Sequence, residues 1–443
     1  MKRFEIFLIG MFFISFLIAN ERDWRMYQHD NQRTGFTPYK GGFSQHQMYE
    51  MWKETIGGEA SLVLGDVDND NEIEVVVREY WYIDGLSIIN GKTGQLEWVC
   101  NLPELSWRDG KSVPVIEDIN NDVIKEIVYS HSGYIWDSAS GRGRIYALNK
   151  VIQDTIWCFK SDTLFFTGVA VEDVDGDGLK EVIFGAGKVT GTQPYPYYYI
   201  PSIFILNGED GSIYWKIDSF FVSQRDKEFY KTNDPPYSFP VPVGAYPYLA
   251  DLNSDGVCDI IGVKLYSDST WHLCGIDAKN KNILWENDYS FFGASIGDLD
   301  NDGINEIVTS FIKRYYGINK DSIFLRCFEG NTGNLKWEYK TQRGVRTRFS
   351  YQPAVADINK DNYKEIVFVI EGGYCFLNIF DKNGNLLHKD SIPEWIWNWN
   401  YYECGERYYA PVIVDIDNDD TIEVLYWGGR RVWTNLYKLD KWG

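Results

Sequence analysis

The sequence predicts an all-β fold, a seven-bladed β-propeller closed into a ring by an N-terminal strand, and three observations carry that expectation. One acidic pattern recurs seven times along the 443 residues. Each copy opens a β-branched apolar run, as in Glu74-Val75-Val76-Val77 or Glu306-Ile307-Val308. The last repeat stops short of the strand that ends the others, while the N-terminus holds a strand of that kind before any acidic copy. A closed ring hides the sheet edges that an open array of blades would expose.

Composition agrees. Aromatics make up 16 % of the chain and glycines number 40, which suits many short strands joined by turns. No segment has the apolar period of a long helix. The formal charge of −21 excludes nucleic acid and anionic membrane as natural partners. The seven cysteines include no C-x-x-C or Cys/His spacing of a zinc or redox site and are read as small buried hydrophobes.

Taken in chain order, residues 1–20 read as a secretory signal. Lys2 and Arg3 precede the apolar stretch from Ile6 to Ile18, with Ala19 near a cleavage point. A retained anchor is the alternative. Residues 21–443 then form the propeller. Its repeats begin every 47 to 78 residues, longer than the usual blade but matching four short strands plus insertions. Within a repeat, a short apolar strand leads into the acidic loop, often with a proline four residues earlier (Pro114, Pro247, Pro353, Pro411). The β-branched strand follows the loop. After a variable segment, a third strand ends in a turn such as Asn90-Gly91-Lys92-Thr93-Gly94. The fourth strand carries a Trp: Trp98, Trp157, Trp215, Trp285 or Trp337, with His388 in that place in the sixth repeat. The seventh repeat lacks this strand, and 48–55, which contains Trp52, is the spare one.

The acidic copies begin at Asp66 (DVDNDNEIE), Asp118 (DINNDVIKE), Asp173 (DVDGDGLKE), Asp251 (DLNSDGVCD), Asp298 (DLDNDGINE), Asp357 (DINKDNYKE) and Asp415 (DIDNDDTIE). Positions 1, 3, 5 and 9 form the candidate ligand sets. They are Asp66, Asp68, Asp70 and Glu74; Asp118, Asn120, Asp122 and Glu126; Asp173, Asp175, Asp177 and Glu181; Asp251, Asn253, Asp255 and Asp259; Asp298, Asp300, Asp302 and Glu306; Asp357, Asn359, Asp361 and Glu365; and Asp415, Asp417, Asp419 and Glu423. Side chains at 1, 3 and 5 converge when a loop winds round a point, and a carbonyl at 7 with a bidentate acid at 9 completes a shell of hard oxygens. Ca²⁺ accepts such a shell, whereas Mg²⁺ prefers to keep several waters. Up to seven Ca²⁺ are expected. Gly178, Gly256 and Gly303 at position 6, with Asn71 and Asn362 in two other copies, suit the tight turn. The competing reading is seven acidic turns without metal.

The D-x-[DN]-x-D-x-x-x-[DE] loop before a strand resembles the FG-GAP, or VCBS-type, repeats of integrin α-subunit propellers. That resemblance spans all seven repeats and implies calcium at the positions above. The third strand, turn and Trp strand, together with the leader Asp23-Trp24 and Asp30-Asn31-Gln32-Arg33-Thr34-Gly35, look like the repeats of pyrroloquinoline-quinone dehydrogenases and outer-membrane assembly scaffolds. The quinone itself is not implied, because those enzymes place a vicinal disulfide against it and this chain has no Cys-Cys pair.

Loops alternate between the two faces of a propeller disk. The acidic loops and Gly turns therefore share one face, and the long variable segments share the other. Tyr197, Tyr199, Arg346, Trp395, Trp397, Trp399 and Arg407 on that second face form the candidate ligand surface. Aromatics there can stack on sugars or anchor a protein, and arginines can hold carboxylates. The alternative is that these loops pack on one another and cap the channel. No G-x-S-x-G or H-E-x-x-H motif is present, and the five histidines are scattered. His131 is placed in a face loop. The sequence thus points to an exported protein, secreted, periplasmic or at a cell surface, that binds a glycan or an extracellular protein without catalysis, in adhesion or as a scaffold. A polysaccharide lyase on the same fold is the alternative, by fold analogy. A quinone oxidoreductase is disfavoured.

Overall fold

The computed structural model describes residues 24–26, 30, 32–40, 52–53, 62–79, 85–102, 112–132, 143–190, 198–222, 246–266, 270–291, 293–313, 322–342, 352–370, 375–392, 411–415, 420–427 and 434–438. They form a seven-bladed β-propeller of seven separate sheets. Blade 1 shows the plan. Leu62–Gly65, Glu74–Glu79, Gly85–Asn90 and Leu96–Asn101 pair in order as an antiparallel meander. Blades 2, 3, 5 and 6 repeat it. The third strand of blade 1 is buried at every position, whereas the fourth is largely half-exposed. This gradient follows from β-branched and apolar residues packing between neighbouring sheets. The core is accordingly divided into clusters that each join two adjacent blades, such as Val128, Ile145 and Ala147 of blade 2 with Phe166, Val169 and Phe184 of blade 3.

The first strands of the blades lie innermost. Blade 4 departs from the plan, because two short strands, Phe220–Phe221 and Tyr248–Ala250, both pair with Asp259–Leu265. Phe220–Phe221 falls in a segment the sequence reads as a face insertion. The strand Tyr198–Asn207 likewise begins inside another such insertion, 191–202, and Glu181–Thr190 runs up to its edge. His131 is corrected too: it belongs to the strand Glu126–Ser132 and is buried.

An N-terminal strand does join the seventh sheet. Phe36–Lys40 pairs in parallel with Val412–Asp415 on the inner edge, ahead of Glu423–Trp427 and Thr434–Lys438. The segment expected to supply the missing outer strand, 48–55, lies outside the described residues except for Trp52 and Lys53. Trp52 is nonetheless placed as a fourth-strand Trp should be. Its Nε1 donates to Gly91 O of blade 1 at 2.8 Å. In the same way Trp157, Trp285 and Trp337 donate to Gly208, Gly330 and Lys382 in the turn of the following blade. The turn glycines are required by this docking. Gly333 sits at φ +69°, and a Cβ there would lie 2.3 Å from the Trp285 ring.

The described residues among 24–36 form an inner hoop that the sequence pattern does not announce. Backbone N–H groups of Leu64, Ile116, Ile296, Val355 and Ile413, on the strands that lead into the acidic loops of blades 1, 2, 5, 6 and 7, donate to the carbonyls of Trp24, Arg25, Gln32, Thr34 and Gly35. Met26 packs in the core shared by blades 2 and 3. Arg33, 0 % exposed at φ +59°, reaches Pro247 O of blade 4 at 3.1 Å. Asp30 fixes the turn by accepting from Thr34 N at 2.9 Å. Every blade therefore touches this segment.

Candidate functional site

The acidic loops fold alike because each carboxylate takes the backbone N–H groups that the turn leaves unpaired. In copies 1, 2 and 4 to 6 the position-1 carboxylate accepts from the N–H of position 5 and of position 6; for Asp298 the distances are 3.1 and 3.0 Å, from Asp302 and Gly303. The position-5 carboxylate accepts from the N–H of position 7 in the first six copies, at 2.7 to 2.9 Å. The acid at position 9, already in the second strand, turns back to accept from the N–H of position 2, as Glu181 does from Val174 at 3.0 Å. In the seventh copy Asp415 accepts from Asp420 N at 3.1 Å, while Asp417 and Asp419 lie outside the described residues.

The turn needs two left-handed residues. Position 6 has positive φ in all seven copies, as the glycines there suggest. Position 4 also has positive φ in the first six, at Asn69, Asn121, Gly176, Ser254, Asn301 and Lys360, which the sequence reading missed. Val123 occupies position 6 of the second copy at φ +78°, a conformation that β-branched residues resist.

Ligand oxygens converge in three copies. Those of Asp66, Asp68 and Asp70, of Asp173, Asp175 and Glu181, and of Asp298, Asp300 and Asp302 lie within 4.8 Å of one another in each group. Where position 3 is Asn, Asn120 and Asn359 turn their amide nitrogens onto Asp122 and Asp361, at 3.2 and 3.1 Å. The donor set fits a hard divalent cation. Glu74 is fully buried, yet its Oε1 accepts no hydrogen bond, and neither do the buried Oδ1 atoms of Asp68 and Asp300. Buried carboxylate oxygens without a donor are costly unless a cation meets them. Burial pushes the position-9 acids up, to about 7 for Glu74, Glu126, Asp259 and Glu365 and about 8 for Glu181.

Lysines meet three of these loops, which the acidic motif alone could not reveal; in the fourth copy Lys279 Nζ lies 3.6 Å from Asp255 Oδ2. Lys336 Nζ lies 3.0 Å from Asp300 Oδ2 and 2.7 Å from Glu306 Oε1. Lys150 Nζ lies 2.6 Å from Asp68 Oδ2 and also pairs with Glu97. Burial opposes the charge of Lys150 and Lys336, but their carboxylate partners more than offset it and hold the ammonium above the usual lysine range. In blade 3, burial and the nearby Asp175 and Glu181 charges raise the Tyr214 hydroxyl.

The acidic loops and Gly turns do share one face: Gly91 N and Gly330 N donate to the carbonyls of Ile73 and Asn305, at position 8 of their own blades' loops. Of the candidate ligand surface, Tyr197, Arg346, Trp395, Trp397, Trp399 and Arg407 lie outside the described residues, as does the side chain of Tyr199 in the strand Tyr198–Asn207. His131 is pushed down to about 3 by burial and by Arg78 and Arg144, which suits a neutral core residue. Among the described residues five cysteines are free thiols, and burial raises Cys100 to about 11 and Cys258 and Cys274 to about 12, the opposite of an activated nucleophile. Among the described residues no helix is long and apolar enough to cross a membrane.

No protein-family model matches the chain, and no curated protein matches it. Solved propellers do. The quinohemoprotein alcohol dehydrogenase ADHIIG from Pseudomonas putida HK5 superposes with a TM-score of 0.50 at 11 % identity, over 92 % of this chain and 76 % of that one. BamB from Moraxella catarrhalis gives 0.43 at 13 % identity, over 79 % and 86 %. The Dos1 propeller gives 0.44 at 10 % identity, over 86 % and 78 %. At such identities the dehydrogenase likeness speaks to the propeller fold and to nothing finer.

Proposed function

We propose that the chain is a calcium-stabilised propeller, of the kind the FG-GAP-like loops suggest, and that it serves as a non-catalytic binding or scaffold module. The carrying observation is the set of buried, unpartnered carboxylate oxygens at Glu74, Asp68 and Asp300, inside loops whose other acids converge. Ca²⁺ in each loop would be held by positions 1, 3, 5 and 9. Seven such ions would set fourteen positive charges against 25 carboxylates that otherwise repel one another on one rim. Repetition favours a structural role for the metal, because a single active centre has no use for the same site in every blade. Partner binding falls to the opposite face, with its Tyr-, Trp- and Arg-rich loops, and the partner is a glycan or an extracellular protein. The calcium requirement and the apolar N-terminal stretch support export to a secreted, periplasmic or cell-surface setting.

The test has two steps. Excess chelator should lower the melting temperature and added Ca²⁺ should restore it; an unchanged curve removes the metal from the account. The calcium-loaded protein is then incubated with neutral and acidic polysaccharides and analysed by mass spectrometry. Retention without cleavage supports the binding module, whereas new oligosaccharide products would replace it with a lyase.

A further inference from the structure

Each of blades 1 to 6 breaks the pairing of its third and fourth strands at the same place. The Trp, or His388 in blade 6, pairs with the third strand, and the residue before it is skipped. A bulge of this kind re-aims the side chain it releases. The skipped residues are Glu97, Ile156, Tyr214, Leu284, Lys336 and Leu387. In blade 5 the released residue is Lys336, whose ammonium bridges Asp300 and Glu306 of its own acidic loop. In blade 1 it is Glu97, which holds Lys150 from the next blade against Asp68. In blade 3 it is Tyr214, and Lys281 from the corresponding turn of blade 4 rests on that ring, 3.8 Å from its centroid.

The loops differ accordingly. In blade 3 the acid at position 9, Glu181, joins the converging oxygens. In blades 1 and 5 the converging set is positions 1, 3 and 5, and in blade 5 Glu306 Oε1 is given to the lysine instead. An ammonium and a divalent cation cannot share these oxygens, because their repulsion at such range is large even in a polar protein environment.

We propose that the bulged position sets the cation affinity of each blade, and that Lys336 in blade 5 and the Glu97–Lys150 pair in blade 1 supply tethered cations that compete with calcium. This deepens the calcium reading and rests on it. Blade 3 fills first. In blades 1 and 5 the lysine offsets part of the loop charge when calcium is scarce, and the loop binds the metal only when the lysine swings out.

Calcium titration of the full-length chain by isothermal calorimetry tests this. Lys336→Gln should tighten one weak site by at least about tenfold, moving it into the tight class, and should lower the melting temperature in chelator. Lys336→Arg, which keeps the charge, should leave the titration as it is. Lys150→Gln should repeat the first result in blade 1 and serves if Lys336→Gln fails to fold. Asp173→Ala together with Asp175→Ala should remove a tight site. If the wild-type chain takes up no calcium, the calcium reading fails and this inference with it. If it does, and the Gln and Arg exchanges titrate alike, the tethered-cation role is overturned while the calcium reading stands.

Discussion

Without calcium the position-9 acids should make the protein less stable as pH rises. Glu74, Glu126, Glu181, Asp259 and Glu365 are buried at the root of their loops, and burial holds each to about 7 or 8. In the unfolded chain they titrate near 4. Between about pH 5 and 7 the folded state therefore carries more protons than the unfolded state, and unfolding releases them, so stability is full at the acid end and is lost as pH rises through the folded values. One such group can contribute at most about 1.4 kcal/mol per pH unit. Water entry and relaxation reduce that for exposed loops of this kind, and together the five should give a slope on the order of 1–2 kcal/mol per pH unit. Thermal melts in chelator from pH 5 to 8.5 would read it as a falling Tm. Saturating calcium should flatten or reverse the trend, because the metal takes the deprotonated acids. Glu181→Gln separates this from general charge repulsion. It mimics the protonated acid, so at pH 8.5 it should hold or raise Tm in chelator and lower it in calcium. A Tm in chelator that climbs with pH, or a Glu181→Gln chain equally destabilised in both buffers, would refute the reasoning.

Two further predictions concern backbone and docking. Val123→Gly should stabilise the chain by about 0.5–1 kcal/mol, because relief of left-handed strain exceeds the added unfolded-state entropy and Val123, 49 % exposed, gives up little burial. Gly256→Val at the same loop position should destabilise it by a similar amount for backbone reasons alone, since no heavy atom lies within 4 Å of a Cβ there; paired melts in calcium would compare them. Trp285→Phe removes the bond from Nε1 to Gly330 O, 2.6 Å long and buried, and should cost about 1–3 kcal/mol. Hydrogen exchange should then show faster opening of the Gly330 turn than of the Gly208 turn, and equal rates would count against the docking argument.

The sequence made the propeller legible because its signals are local. Asp298 to Glu306 spells out a loop whose turn is closed by bonds from Leu299, Asn301, Asp302, Gly303 and Ile304 to its own carboxylates, and Trp337 stands at a fixed offset from its turn. Even His388 pairs with the third strand at the register of the Trp it replaces. What escaped the reading depends on distant residues. Lys336 looks like any strand lysine until the bulge aims it at Asp300. The hoop of residues 24–36 leaves little side-chain pattern, since it is held mainly by single backbone bonds to strands far along the chain. Only its turn, Asp30 to Thr34, is marked. His131 read as a loop residue because the flanking insertion hides where Glu126–Ser132 ends.

That hoop also orders events during synthesis. Residues 24–36 are made before any blade, but their partners are Leu64, Ile116, Ile296, Val355 and Ile413, the last of them nearly the final strand to appear. While the chain grows, blades can form one after another from local contacts. Trp24 and Arg25 can pair once blades 1 and 2 exist, but Gln32, Thr34 and Gly35 must wait for blades 5, 6 and 7. Completing the ring is therefore a late step with a long loop to close. A chain cut short before Ile413 would hold most of its sheets yet leave Gly35 and the strand Phe36–Lys40 without the strand they pair with.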